Sequence, residues 1–319
     1  MTNQEIIELL RKDMQGEQQA LIQYLYHAYT MAEGSDPAAV EAISREEMRH
    51  WDWLGDAIVE LGGEPTVARD PVDFSRDETH KQLMKDVGLE EGGIAQYRAH
   101  IEAIDNEPIR RLLTRILHDE LVHKEEFLRL AEEARLAEEA GEAAASEGAP
   151  QEAAPAEPLS ERLAAILNQG VRHEYTVILQ YLYHSLVAEG KELAEELHNT
   201  AVNEMQHMGW LSEGVAERGG QPEMEHTDLA LSRDPVHNLK ANIRAEQEVT
   251  RDYTAQIPEV EDPEIKELLA RIRDHEVYHD AVFKDLLAEV KEEQEAQEGE
   301  TPQPPPYVPP SVGSLKKHD

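Results

Sequence analysis

The sequence contains no cysteine, which excludes disulfides, thiolate zinc sites, rubredoxin-type iron centres and thiol catalysis. Basic residues are also scarce: 30 lysines and arginines stand against 67 aspartates and glutamates, so the formal charge is −37. A surface of that sign repels nucleic acid and anionic membranes, and it attracts cations. The sequence has no apolar run long enough to cross a bilayer and no signal-peptide hydrophobic region. We therefore expect a soluble, cytoplasmic protein that binds neither nucleic acid nor membrane.

Strand signals are scarce as well, and an internal repeat with helical periodicity organises the chain. Residues 23–27, Gln-Tyr-Leu-Tyr-His, recur unchanged at 180–184, an offset of 157. The motif Glu47-Met48-Arg49-His50 recurs as Glu204-Met205-Gln206-His207 at the same offset. Further along each copy the offset is 156. We expect the second copy to gain residues before Arg233-Asp234-Pro235 and to lose residues after it, as loops tolerate.

Each copy predicts four helices, so the expected fold class is all-α, with two four-helix bundles in tandem. In the first copy we expect helices at 3–32, 37–61, 77–105 and 108–138. The predicted domains are a bundle at 1–140, an Ala/Glu/Pro linker at 141–158, a bundle at 159–296 and a Pro-rich tail at 297–319.

Every predicted helix of the first copy carries a glutamate in the middle of its apolar stripe. In the first helix Met14, Glu17 and Leu21 are separated by steps of three and four, so Glu17 shares the buried face. The other polar residues in the apolar stripes of this copy are three glutamates and two histidines: Glu47, His50, Glu90, Glu120 and His123. The second copy repeats all six as Glu174, Glu204, His207, Glu246, Glu276 and His279.

Four carboxylates that converge inside one bundle need positive charge, because burying an unpaired ion is costly. Two divalent metals would supply it, and a glutamate and a histidine three residues apart can reach the same metal. Oxygen and imidazole donors without thiolate suit iron or manganese. Two single glutamates and two Glu-x-x-His pairs form a known di-metal ligand set in helix bundles. We predict two iron ions per bundle, four per chain; the alternative is a metal-free polar core.

A segment near the end of the second copy, His275-Glu276-Val277-Tyr278-His279, also fits the zinc-protease pattern His-Glu-x-x-His. The matching segment of the first copy is Asp119-Glu120-Leu121-Val122-His123, which keeps the glutamate and the second histidine but not the first. The repeat therefore favours a Glu-x-x-His ligand pair over a protease.

Residues 17–28 and the motif Glu47-Met48-Arg49-His50 resemble the first two helices of bacterioferritin, within the ferritin-like superfamily. The resemblance covers about 3–138 and 159–294 and implies two ferritin-like bundles that oxidise Fe(II). It implies terminal ligands at Glu17, Glu90, Glu174, Glu246 and the four histidines, and bridging ligands at Glu47, Glu120, Glu204 and Glu276. Tyr24 and Tyr181 would lie beside the metals as one-electron donors.

The same resemblance places Met48 and Met205 where bacterioferritin binds haem at a two-fold interface. We do not favour haem, because methionine is common on helix faces next to a core. The positions of that family's inner-surface iron ligands carry Ala42, Glu46, Asn199 and Asn203 instead. This departure weakens the case for storage inside a cage built by the protein itself.

The C-terminal segment 311–317, Ser-Val-Gly-Ser-Leu-Lys-Lys, follows a Pro-rich spacer and resembles the cargo-loading peptide of encapsulin-targeted proteins. Val312 and Leu315 could fill apolar pockets, while Gly313 permits a tight bend and the spacer gives reach. We predict that this segment binds the inner wall of an encapsulin shell; the alternative is an ordinary disordered tail.

The favoured function is a ferroxidase that oxidises Fe(II) with O₂ or peroxide and passes Fe(III) to a mineral, inside an encapsulin compartment. A rubrerythrin-like peroxidase with an external electron donor and a manganese catalase are the enzymatic alternatives. A catalytically silent scaffold that docks on a shell is the third. The sequence leaves open whether the chain forms a homo-oligomer.

Overall fold

The computed structural model describes residues 1–31, 36–146 and 159–299, with side chains up to 141 and 296 in the last two ranges. Within these residues the chain forms eight α-helices and no strand, which confirms the predicted fold class. The first bundle consists of α1 (Asn3–Thr30), α2 (Pro37–Glu60), α3 (Thr79–Ala103) and α4 (Glu107–Ser146). The second consists of α5 (Glu161–Val187), α6 (Lys191–Ala216), α7 (Pro235–Gln256) and α8 (Pro263–Gly299), with a 3₁₀ turn at Ile257–Glu259. None of these helices is long and apolar enough to cross a membrane.

The helix starts follow from local capping chemistry. Thr2 caps α1 through a capping box with Glu5, and Asp36 caps α2 immediately before a proline at its first position. Ser160 caps α5, and Asp234 caps α7, again immediately before a proline, by accepting from the backbone N–H of Val236. These side chains satisfy backbone N–H groups that have no partner within the helix.

The fourth helix extends beyond its predicted end at residue 138. It continues to Ser146, so residues 141–146, which we predicted as linker, are helical. Alanine and glutamate dominate this stretch, and Arg135 pairs with Glu139 one turn later, as a helix surface favours. Helix α8 likewise continues to Gly299, so residues 297–299, which we predicted as tail, are helical. Residues 147–158 of the predicted linker and 300–319 of the predicted tail lie outside the described residues.

The loop after the second helix of each bundle corrects the predicted length change. The backbone N–H of Asp73 donates to Gln23 Oε1 at 3.1 Å, and that of Ala230 donates to Gln180 Oε1 at 2.9 Å. The two glutamines are 157 residues apart, and so are Asp73 and Ala230. The loops of the two bundles therefore keep the same register up to this point. The predicted gain before Arg233-Asp234-Pro235 is therefore wrong, and the second copy is only one residue shorter ahead of α7.

The two bundles contact each other through a nearly symmetric interface. Arg76 Nη1 donates to the carbonyl of Gly220 at 3.0 Å, and Arg233 Nη2 donates to that of Gly63 at 2.7 Å. The repeat offset relates both partners, so the interface is reciprocal, as in a two-fold dimer. Helix α1 packs on α6 and α2 on α5, and one apolar core joins the two bundles.

Candidate metal centres

The first bundle brings its six predicted ligand residues together in its interior. Glu17 comes from α1, Glu90 from α3, and a Glu-His pair comes from each of α2 and α4. One group contains Glu17, Glu47, His50 and Glu120, and the other contains Glu47, Glu90, Glu120 and His123. Within each group the ligand atoms lie within 4.8 Å of one another, and all six side chains are buried. Two glutamates, one from α2 and one from α4, belong to both groups, so the arrangement can hold two bridged metal ions.

The second bundle repeats this arrangement residue by residue. Its groups are Glu174, Glu204, His207 and Glu276, and Glu204, Glu246, Glu276 and His279. His207 Nδ1 lies 2.8 Å from Glu204 Oε2, and His279 Nδ1 lies 2.7 Å from Glu204 Oε1. The structure thus assembles all twelve residues that the sequence singled out. That they bind metal stays a prediction.

Unpaired donor atoms show that these residues fit metal ions. Each single glutamate leaves one buried oxygen without a hydrogen-bond partner in the described chain; these are the Oε2 atoms of Glu17, Glu90, Glu174 and Glu246. The nitrogen of His123 nearest the centre, Nδ1, is 2.8 Å from Glu47 Oε1 but is not aligned for a hydrogen bond. An unsatisfied buried polar group costs about 1–3 kcal/mol, and more when charged. Divalent cations would satisfy these converging lone pairs, and the donors suit iron or manganese.

The pKa shifts of the metal-free site also indicate that positive charge would be favourable there. Burial, reinforced by the charge of Glu47, raises the pKa of Glu17 well above its ordinary value. Burial and the same neighbour raise the pKa of Glu120 to about 8. Burial lowers the pKa of His123, but Glu47 outweighs burial and raises it to about 9. Protons therefore neutralise part of the cluster when metal is absent, and binding of metal must release them.

Two tyrosines in each bundle hold the single glutamates. Tyr24 donates to Glu90 Oε1 at 2.6 Å, and Tyr181 makes the same bond to Glu246. Both tyrosines therefore lie beside the candidate centres, where the sequence placed them.

Sequence reasoning did not assign a second tyrosine to each site. Tyr97 donates to Glu17, and Tyr253 donates to Glu174 at 2.8 Å. All four phenols are buried. The signal was present, because Tyr97 and Tyr253 recur at the repeat offset and Tyr97 follows Glu90 by seven residues on the same helix face.

The outer nitrogens of the candidate histidine ligands contact further side chains that fix the rings. His50 Nε2 lies 3.5 Å from Asp119 Oδ2, whereas His207 Nε2 lies 2.8 Å from His275 Nδ1. His123 Nε2 lies 2.9 Å from Glu46 Oε2. The first histidine of the protease-like motif thus supports a candidate ligand and is absent from the ligand groups.

The two methionines considered for haem meet between the bundles. Met48 and Met205 line one cavity of about 440 Å³, together with Tyr29, Arg45 and Trp210. Carboxylates of both bundles also line it. The structure brings the methionines to one place; haem binding, which the sequence did not favour, stays untested there.

Comparison with known proteins follows the division into two bundles. The sequence model of the ferritin-like domain family, described as "Ferritin: Ferritin-like domain", matches residues 7–137 and again 164–292. No curated protein matches the chain.

Three solved structures are similar over part of the chain. A ferritin-like diiron-carboxylate protein from Bacillus anthracis str. Ames is 28% identical, with 41% of this chain and 98% of that chain covered and a TM-score of 0.37. Mycobacterium tuberculosis bacterioferritin BfrA is 23% identical, with 43% of this chain and 89% of that chain covered and a TM-score of 0.37. KatB, a manganese catalase from Anabaena PCC7120, is 18% identical, with 54% of this chain and 91% of that chain covered and a TM-score of 0.39.

Proposed function

The chain belongs to the ferritin-like family, and on that premise we propose that it is a ferroxidase with a di-iron centre in each bundle. The observation that carries the proposal is the pair of ligand groups that share two buried glutamates, present in both bundles. Such sharing lets two metals sit close enough to act as a pair, and each bundle would bind two ions. The acidic surface would attract Fe(II), which is the substrate.

Each ligand residue has a distinct task in this proposal. In the first bundle Glu47 and Glu120 would bridge the ions, Glu17 and His50 would hold one ion, and Glu90 and His123 the other. The second bundle would use the equivalent six residues. Bound iron would supply the one-electron redox change, and O₂ or peroxide would take up two electrons from a pair of Fe(II) ions together with protons.

The protein contributes geometry, proton control and shielding from water. The phenols of Tyr24 and Tyr97 donate to Oε1 of the two single glutamates and so orient the free Oε2 atoms, which would hold the metals. Because these phenols are buried next to carboxylates, their pKa values are raised, and they keep their protons at neutral pH. Their position also suits the one-electron donor role that the sequence suggested for Tyr24 and, in the second bundle, Tyr181.

We further propose that segment 311–317 docks the protein on the inner wall of an encapsulin shell, which would store the mineral. This segment lies outside the described residues, so the proposal rests on its sequence alone. Single-site affinity of so short a peptide would be modest, and many copies would reinforce it. Deleting residues 311–319 should leave Fe(II) oxidation intact and abolish co-purification with the shell protein. Packaging of the truncated chain would contradict the docking role.

Anaerobic titration with Fe(II), followed by exposure to O₂ or peroxide, tests the ferroxidase proposal. We expect saturation near four Fe(II) per chain, two in each bundle, and rapid Fe(III)–oxo absorbance once an oxidant is added. The double variant Glu47→Ala/Glu204→Ala is the control and should give no rapid phase. Disproportionation of peroxide by manganese-loaded protein without iron oxidation would favour a catalase. Metal binding without any redox reaction would favour the silent scaffold.

A further inference from the structure

A cavity of about 230 Å³ connects the outside of the first bundle with its candidate centre. Two candidate ligands, Glu17 and Glu120, lie at its buried end. Three glycines, Gly16 on α1 and Gly92 and Gly93 on α3, form its outer wall and are exposed or half-buried. The cavity therefore leads to the carboxylates that would bind metal.

The missing side chains of these glycines keep the cavity open. Apart from the backbone of its own helix and its chain neighbours, a Cβ atom at Gly16 or at Gly92 would meet no described atom within 4 Å. At Gly93 its only neighbour within that distance would be Glu120 Oε2, at 3.8 Å. Gly93 thus stands directly over a bridging candidate ligand, and any side chain there would project across the path to it.

The second bundle carries side chains at all three positions. The repeat places His173 where the first bundle has Gly16, and Glu248 and Val249 where it has Gly92 and Gly93. Val249 is buried, with 4% of its surface exposed. His173 Nε2 is also buried and has no hydrogen-bond partner in the described chain. The wall that is open in the first bundle is therefore filled in the second.

Acidic residues stand at different positions around the path in the two bundles. Asp13 and Asp70 line the cavity of the first bundle, and the repeat places Gly170 and Thr227 at the equivalent positions of the second. An acid could not replace Gly170 without rearrangement, because a Cβ there would lie 2.8 Å from the hydroxyl of Tyr253. The second bundle instead has Glu248 in place of Gly92 and Asp252 in place of Gln96. Each path thus has two acids besides the candidate ligands, and the side chains that fill the wall, not the charge, distinguish the two bundles.

We propose that metal ions reach the first centre directly through this glycine-walled cavity, and that His173 and Val249 close the corresponding path in the second bundle. The two centres then take up metal at different rates although their ligands are identical. This inference rests on the proposed metal centres and deepens them, because it assigns the faster exchange with the surroundings to the first bundle. Ions would reach the second centre only when the side chains over it move.

Stopped-flow binding of Co(II) to the full chain separates the two rates without any redox step. The variant His207→Ala/His279→Ala leaves only the first centre intact, and His50→Ala/His123→Ala leaves only the second. Cobalt absorbance reports uptake, and equilibrium titration of the same samples reports how many ions bind. We expect the first centre to load at least about tenfold faster, because uptake by the second centre must wait for its covering side chains to move.

Reciprocal substitutions then exchange the behaviour of the two centres. Gly93→Val should slow the first centre about tenfold, and His173→Gly/Val249→Gly should accelerate the second by a similar factor. Gly88→Val is the matched control on α3, because Gly88 does not line the cavity and a Cβ there meets nothing within 4 Å. Valine is a slightly better helix former than glycine, so both glycine substitutions should fold.

Four outcomes would overturn the inference. Equal loading rates of the two centres would show that the cavity does not govern access. A normal rate for Gly93→Val with two ions bound at equilibrium would show the same. If neither single-centre variant binds cobalt at equilibrium, the proposed metal centres fail together with the inference, and the titration identifies that case. Equal slowing by Gly88→Val and Gly93→Val would assign the effect to the helix and not to the cavity.

Discussion

The two bundles have the same six candidate ligands and the same two supporting phenols, yet they differ in the side chains that contact those ligands. His50 faces Asp119, but its counterpart His207 faces His275. A carboxylate next to an imidazole strengthens its basicity and fixes its orientation, whereas a second imidazole adds no charge of its own when neutral. The two bundles thus share their candidate ligands but differ in the side chains that set the basicity and orientation of these histidines.

A second difference lies farther from the centres. His27 Nδ1 is 2.8 Å from Asp86, and both side chains are fully buried. In the second bundle the aspartate is replaced by Asn242, and His184 Nε2 donates to the carbonyl oxygen of Ala230 at 2.9 Å. The first bundle therefore contains a buried histidine–carboxylate pair where the second contains neutral groups. The bundles are expected to differ in their response to acid as well as in metal uptake.

The largest expected effect comes from removing a candidate bridging ligand. Glu47→Ala should lower oxidation in the first bundle more than a hundredfold if Glu47 binds metal directly, since changes to outer partners of metal ligands alone already cost about 10–100-fold. Glu204→Ala should do the same in the second bundle only. Rates measured in each single variant and in the double variant check this. A parental rate in the double variant would make both residues structural.

Acid should distinguish the bundles through His184. Burial lowers the pKa of this histidine to about 4. Between that value and its ordinary pKa near 6.5, the unfolded chain binds a proton that the folded chain excludes. Above about pH 6.5 this histidine is neutral in both states and costs no stability. As the pH drops toward 4, it lowers the free energy of unfolding by about 3 kcal/mol.

Hydrogen exchange of the metal-free protein between pH 7 and pH 4 measures this effect helix by helix. Amides of α5 should lose protection relative to those of α1, and His184→Gln should reduce the loss because glutamine does not titrate. Identical pH profiles for His184→Gln and the parent chain would contradict the assignment.

A smaller effect is expected from the outer partners of the candidate ligands. Asp119→Asn should weaken metal binding in the first bundle about tenfold, because the carboxylate that faces His50 is lost. His275→Asn should have less effect in the second bundle, where no carboxylate is removed. Competition between each variant and a chromophoric chelator gives the affinities. An equal loss in both bundles would remove this difference between them.

The smallest effect should come from the phenols and should be alike in both bundles. Tyr97→Phe and Tyr253→Phe each remove one hydrogen bond to a terminal ligand. The net value of such a bond is about 1 kcal/mol, so metal affinity should fall about fivefold in each bundle. Tyr24→Phe serves as the comparison, because it removes the bond to the other terminal ligand. Unequal losses would show that the bundles already differ at the candidate ligands themselves.

The candidate ligands could be predicted because helical periodicity alone places Glu17 or Glu204 on a buried face, and the repeat tests each position twice. The roles of Tyr97 and Asp119 could not, since they depend on distances between helices. The end of α4 was missed because a glutamate- and alanine-rich run suits both a linker and a helix. The register of the loop before α7 could not be predicted, because it depends on the hydrogen bonds that Gln23 and Gln180 accept from loop backbone N–H groups.

The most direct test of the central claim is anomalous scattering at the iron edge from crystals loaded with Fe(II) under anaerobic conditions. We expect two peaks in each bundle, about 3.5–4 Å apart, as in other two-metal sites. One peak of each pair should lie beside Glu17 and His50, or beside Glu174 and His207. A single peak per bundle, or none, would contradict the proposed di-iron centres.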